Sequence, residues 1–266
     1  MNRKDGSNAM YISTDKGSIH YRLDGNPAGP RLVLLNSLGT SIGSWDEVAA
    51  CLGQHYHLLR IDKAGHGQSA PRKGPQQIAD NSADVLAVMD AVQWDRAHVC
   101  GVSIGGMTAI DMAIHHPQRL KKIILSNTSS WVGPVHLSER CELIRHFGLR
   151  FVAAQVVGRF FSDASATSSN DRYLVAVRDF LACDDASYVG WCQAIISMDY
   201  RLQLRQIVTD TLVITGQRDL ATPADMGQLV HRSIQGSTLI ELPCGHIPYM
   251  EDPREYAAIV QGFLGG

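Results

Sequence analysis

The stretch "AHVCGVSIGGMTAIDMAIHH" (Ala97–His116) decides the reading of this chain. "AHVC" is a short apolar run of strand type, and "IGGMTAIDMAIHH" has the composition of a helix. Between them lies G-x-S-x-G, at Gly101, Ser103 and Gly105. A strand that passes at once into a helix must bend its backbone sharply. Glycines on either side of the serine permit that bend and keep side chains away from its hydroxyl. In a chain with 24 glycines the pattern alone is weak. The strand before it and the helix after it make it a nucleophile elbow, with Ser103 at the turn.

Outward from the elbow, short apolar runs alternate with helical segments. "LVLLN" precedes the helical "SWDEVAACLGQH", and "YHLLRID" precedes a Gly/Pro loop. In "QQIADNSADVLAVMDAVQ", Ile78, Ser82, Val85, Leu86, Met89 and Val92 share one helical face. "KKIILSN", "TLVITG" and "TLIELP" continue the strand series, and "MYIS" with "SIHYRLDG" reads as an N-terminal hairpin. This alternation predicts the α/β class, a mostly parallel sheet with helices on both faces. Residues 131–199 interrupt it with helical sequence only. The expected organisation is one core domain, 10–130 and 200–266, carrying a helical cap insertion at 131–199. "SNAM" at Ser7–Met10 reads as an expression-vector scar, so residues 1–9 are set aside.

Composition narrows the function. With 45% hydrophobic and 19% charged residues, 266 residues can bury a full core. A net charge of -2 offers no field for nucleic acid, and no apolar run reaches the ~20 residues of a membrane span. The six cysteines are irregularly spaced without C-x-x-C, and read as reduced core thiols of a cytoplasmic protein. "GHGQSA" (Gly65–Ala70) fits a loose dinucleotide fingerprint, but Pro71 and Pro75 obstruct the helix that must follow. His55 and His57 lack a third ligand at a recognisable spacing. The sequence therefore implies no metal and no cofactor.

A serine hydroxyl needs a base, and the base needs an orienting acid. On an elbow of this kind the chain order is Ser, acid, His, each after a strand. Asp219 follows "TLVITG" and His246 follows "TLIELP". Asp225 competes with Asp219, but its place after Thr222-Pro223 suits a helix's first turn, where a carboxylate favours the dipole. Glu251 is expected to support the histidine loop or the next helix.

These residues carry a resemblance over nearly the whole chain from Met10. "LNSLGTSIGSW", "RIDKAGHGQS", "GVSIGGM", "SNTSSW", "ITGQRDLATP" and "GHIPYMEDP" resemble the α/β-hydrolases, and among them the 3-oxoadipate enol-lactonases. Asn36-Ser37, where most relatives have His-Gly, is the most discriminating match. Ala64 departs from the Arg usual in "RGHG". The resemblance implies Ser103 as nucleophile, His246 as general acid/base, Asp219 as orienting acid, and an oxyanion hole from the Leu38 and Ile104 backbone N–H groups. It implies a small ester or lactone as substrate. Esterase, perhydrolase, acyltransferase and C–C hydrolase relatives share this machinery, and a low-turnover receptor of this fold would retain it. Trp131 and Trp191 are candidates for the substrate pocket or for packing inside the insertion. The insertion's arginines, Arg140, Arg145, Arg150, Arg159, Arg172 and Arg178, are matched by acidic residues, and none is singled out.

Overall fold

The central strands are largely apolar, and the structure shows why. Ala97–Val102 is buried at every position, as a strand covered on both faces must be. The computed structural model describes residues 10–72, 74–162 and 170–265; the stretch set aside as a vector scar lies outside them. An N-terminal hairpin, β1 (Met10–Thr14) and β2 (Gly17–Gly25), is followed by β3 (Arg31–Leu35), α1 (Asp46–Leu52), β4 (His57–Ile61) and α2 (Ile78–Ala91). The elbow joins β5 (Ala97–Val102) to α3 (Ile104–His115), and β6 (Leu120–Ser126) follows. Helices α4 (Val135–Phe147), α5 (Leu149–Val157), α6 (Asp171–Leu181) and α7 (Asp185–Ser197) come next. The sheet resumes with β7 (Asp210–Gly216), α8 (Ala224–Ser233) and β8 (Thr238–Leu242), and the chain closes with α9 (Pro248–Glu251) and α10 (Pro253–Gly265).

The sheet order is β1-β2-β4-β3-β5-β6-β7-β8, antiparallel at β1–β2 and β2–β4 and parallel across the rest. The order reverses at β3, which lies between β4 and β5. Crossovers there leave to opposite sides, so the loops after β3 and β5 open a crevice at the strands' carboxyl ends. Leu35 pairs with Gly101, which sets the loop after β3 beside the elbow. The helices α4–α7 enter and leave at one point: Trp131 bridges Asp199, and Tyr200 N–H donates to Ser130 O at 2.9 Å. All six cysteines are free thiols, five of them buried.

Candidate active site

Ser103 sits where the sequence bends hardest. Its φ of 58° and ψ of -121° lie in a region that non-glycine residues rarely occupy. Three hydrogen bonds hold it there: Ser103 N–H to Ser126 O at 3.0 Å, Thr128 Oγ1 to Ser103 O at 2.7 Å, and Met107 N–H to Ser103 O at 2.9 Å. The glycines are required by contact. A Cβ on Gly101 would lie 2.2 Å from Gly105 O, and one on Gly105 would lie 2.3 Å from Leu35 O.

His246 and Asp219 are brought together from the ends of β8 and β7. His246 Nδ1 lies 2.9 Å from Asp219 Oδ2, and both residues are buried. The carboxylate is saturated. Its Oδ1 accepts the Ala221 and Thr222 N–H groups at 2.8 and 3.0 Å. Its Oδ2 accepts Asn127 Nδ2 at 3.0 Å and the Thr222 hydroxyl at 2.8 Å. Burial pushes this carboxyl up, but His246, the Thr222 N–H and Asn127 outweigh burial and hold it below its ordinary value. Asp225, the competitor, is exposed in the first turn of α8 and takes no part. Glu251 accepts Gly245 N–H at 2.6 Å and both the N–H and hydroxyl of Ser162, so it ties the histidine loop to the end of the α5 segment. Phe160 O accepts the N–H groups of His246 and Ile247 at 2.8 and 3.0 Å.

Asn127 and Thr222 are the residues that sequence reasoning missed. Asn127 follows β6 with φ of 44°, which Asn tolerates better than most side chains. From there Nδ2 reaches both Asp219 and, at 2.9 Å, Gly245 O. The signal in the sequence was its position: a polar residue just past a strand's carboxyl end, like Asp219 and His246.

The loop after β3 is stapled from every side. Asn36 Nδ2 donates to Thr40 O at 2.5 Å, and Thr40 Oγ1 to Ser37 O at 3.0 Å. Lys63 Nζ donates to the same Ser37 O at 2.7 Å, and Gly39 N–H to His66 Nε2 at 3.0 Å. Burial, with the Lys63 charge beside it, holds the His66 imidazole well below its ordinary value, so its Nε2 serves as an acceptor. The "GHG" loop thus braces a neighbouring loop, and among the described residues no helix opens from it before Ile78. Leu38 and Ser37 face the same cavity as Ser103 and His246. Ile104 opens α3, so its N–H has no acceptor within the helix.

That cavity has a volume of about 460 Å³. Its walls are apolar, with Met107, Val156, Phe160 and Ile195 among them, and two arginines, Arg140 and Arg159, interrupt them. Arg140 Nη1 lies 3.4 Å from the Tyr188 hydroxyl. Among the described residues neither arginine has a carboxylate partner, whereas Arg145, Arg172 and Arg178 pair with Glu142, Glu47 and Asp179. Trp131 and Trp191 do not line the cavity. Trp191 is fully buried and its Nε1 donates to Ala64 O at 2.9 Å, a packing role. Trp131 is partly exposed, with the Arg201 guanidinium 4.5 Å above its ring. Among the described residues no group of three or more His, Cys, Asp or Glu is placed to hold a metal ion, and no helix is long and apolar enough to cross a membrane.

Comparison with known proteins agrees with this architecture. Residues 30–183 match the family model described as alpha/beta hydrolase fold. 3-Oxoadipate enol-lactonase 2 of Acinetobacter baylyi is 31% identical over 248 residues, covering 93% of each chain. Among solved structures, a hydrolase from Pseudomonas aeruginosa superposes with a TM-score of 0.95 at 34% identity, covering 98% of this chain and 100% of that one. The enol-lactonase from Burkholderia xenovorans gives 0.93 at 32% identity, covering 96% and 100%. On the matched span and the full-length likeness, the chain belongs to the α/β-hydrolase family.

Proposed function

We propose that this protein is a serine hydrolase that opens a small, carboxylate-bearing lactone or ester through an acyl-enzyme, in the manner of the 3-oxoadipate enol-lactonases. The observation that carries the reading is the buried Asp219–His246 hydrogen bond, which ends at a cavity shared with the elbow serine. Asp219 fixes the imidazole with Nδ1 inward, which leaves Nε2 as the base. His246 takes the Ser103 proton as Oγ attacks the substrate carbonyl. The Leu38 and Ile104 N–H groups receive the oxyanion, and losing one such donor typically costs ~100- to 1,000-fold. His246 then protonates the leaving oxygen, an enolate in an enol-lactone, and activates the water that releases the acid. A lactone keeps its leaving group attached, so one ring-opened acid is the product.

The two arginines support the finer choice. A guanidinium on an apolar wall carries a positive charge that a substrate carboxylate can meet in bidentate fashion. The cavity volume suits a small molecule. The test is a hydrolysis screen of carboxylate-bearing enol-lactones, saturated lactones and short neutral esters, with Ser103→Ala as the blank. The expected ranking places the anionic enol-lactones first, with no turnover by Ser103→Ala. Retention of most activity by Ser103→Ala refutes the mechanism. Equal turnover of neutral and anionic substrates refutes the role of the arginines, and tight lactone binding without turnover identifies a receptor instead.

A further inference from the structure

The carbonyl of Ser37 and the N–H of Leu38 belong to one peptide group. Resonance couples them: a positive charge held on the oxygen draws electron density from the nitrogen and makes its N–H a stronger donor. Lys63 Nζ lies 2.7 Å from that oxygen, and the Thr40 hydroxyl lies 3.0 Å from it. Lys63 is only 3% exposed, and among the described residues Ser37 O is the ammonium's one hydrogen-bond acceptor. A buried ammonium is costly where it is merely structural, since a neutral donor ties two loops as well. A second observation points to a ligand at the same peptide: the Ser37 hydroxyl is buried at the cavity wall without a partner among the described residues.

We infer that Lys63 is a positioning residue for catalysis, which polarises the Ser37–Leu38 peptide through its carbonyl and so strengthens the Leu38 N–H toward the oxyanion. The inference rests on the proposal that Leu38 N–H is an oxyanion donor. It also assigns a use to the basic residue next to Ala64. Burial lowers the Lys63 ammonium to about 8, against the opposing pull of Cys183 and Asp62. The other titratable groups around it are His66 on its own loop, Asp179 and Asp184 beside Cys183, and Tyr249 against Thr40. Asp62 is engaged by His20, Ile42 and Gln68, and Asp179 by Ser41 and Arg178. The charge on the Ser37 carbonyl therefore disappears as pH rises through about 8.

The experiment compares kcat and KM of wild type, Lys63→Gln and Ser103→Ala on a p-nitrophenyl ester, from about pH 6 to about pH 10. A boronic acid serves as an oxyanion-forming inhibitor. Wild-type kcat falls as pH rises through about 8. Lys63→Gln has a kcat about 10-fold lower at neutral pH, a fraction of the loss of a whole donor, with KM within about twofold and no alkaline limb. Boronate binding weakens by a similar factor. A wild-type kcat that stays level to about pH 10 overturns the inference, even where Lys63→Gln does not fold. So does a folded Lys63→Gln with wild-type kcat. Activity in Ser103→Ala refutes the underlying reading instead, whereas an inactive Ser103→Ala beside an unaltered Lys63→Gln refutes this inference alone.

Discussion

Replacement of Asn127 tests the hidden half of the site. The side chain is 1% exposed and donates to Asp219 Oδ2 at 3.0 Å and to Gly245 O at 2.9 Å. Asn127→Ala removes a bond to a charged acceptor, at ~1.5–3 kcal/mol, and leaves the buried Gly245 carbonyl short of a donor, at ~1 kcal/mol or more. It also places alanine at a φ of 44°, for ~1 kcal/mol. The sum is roughly 4 kcal/mol, and a protein of this size loses about 2–4 °C of Tm per kcal/mol. Asn127→Gly relieves the backbone strain and recovers about 1 kcal/mol relative to alanine. Both variants let the Asp219–His246 pair shift, with a fall in kcat of up to ~100-fold at little change in KM. The Asp219 carboxyl is held low in the native state, so its stabilising contribution is full above the ordinary aspartate range and is lost as pH falls through its native value. The Tm gap between wild type and Asn127→Gly therefore narrows in acid. A gap that does not change with pH, together with a kcat within twofold of wild type, refutes the role given to Asn127.

Asp219→Asn keeps the shape but reverses the tautomer it imposes, and kcat is expected to fall on the order of 10,000-fold; a loss below about tenfold in kcat assigns the orienting role elsewhere. In Gly101→Ala the new Cβ meets Gly105 O at 2.2 Å, backbone against backbone, and the variant is expected to fold poorly or melt far below wild type, whereas Gly262→Ala in α10 meets nothing and gains about 0.5–1 kcal/mol. Thermal melts of the two alanine variants side by side decide whether the elbow or general glycine loss is responsible. Lys63 titrates lower in the native state than unfolded, so the unfolded chain holds the extra proton between about 8 and its ordinary 10.5, and stability rises with pH across that window. Lys63→Met removes that rise, which is on the order of 3 kcal/mol; parallel melts of the two proteins across the window contradict the burial cost assigned to Lys63.

The sequence was most legible where one residue type is forced by backbone geometry. The strand–elbow–helix at Ala97–His116 could be read because only glycine fits beside such a bend. The strand series could be read because strands covered on both faces are largely apolar. Asp219 and His246 were singled out by chain order together with their places just past a strand. What escaped depends on contacts between residues far apart in the chain. Asn127 reaches Asp219 across 92 positions, and Lys63 reaches Ser37 across 26; neither pairing leaves a local period. The tryptophans misled for a related reason. An aromatic residue in a helical insertion suits a pocket wall or an interior equally well, and only its contacts in space, such as the Trp191 indole N–H to Ala64 O, decide between them. The arginines were indistinguishable by composition, and only their place in space, on the cavity wall, separates Arg140 and Arg159 from the rest.

The same long-range contacts constrain how the insertion can admit a substrate. Among the described residues, the hydrogen bonds that fasten α6 and α7 to the core include five to the loops after β3 and β4. Trp191 Nε1 donates to Ala64 O, Asp184 N–H to Gly65 O, Arg72 N–H to Ser187 Oγ, and the Ser41 N–H and hydroxyl both donate to Asp179. Close packing excludes slack at these points: a Cβ on Gly65 would lie 2.1 Å from Ser187 Cβ, and one on Gly39 would lie 2.7 Å from the Phe180 ring. At about 1 kcal/mol net for each bond, these five alone set a cost of at least about 5 kcal/mol for lifting this side. That leaves at most roughly one molecule in several thousand open by this route. Val135 at the start of α4 and Leu220 after β7 also line the cavity and remain exposed, at 72% and 68%. Substrate entry beside these two residues touches none of these five bonds and leaves the Lys63–Ser37–Leu38 loop set before the substrate arrives. The oxyanion donor proposed at Leu38 must meet a transient charge without reorganising and needs that rigidity, which on this proposal the helices that interrupt the sheet supply.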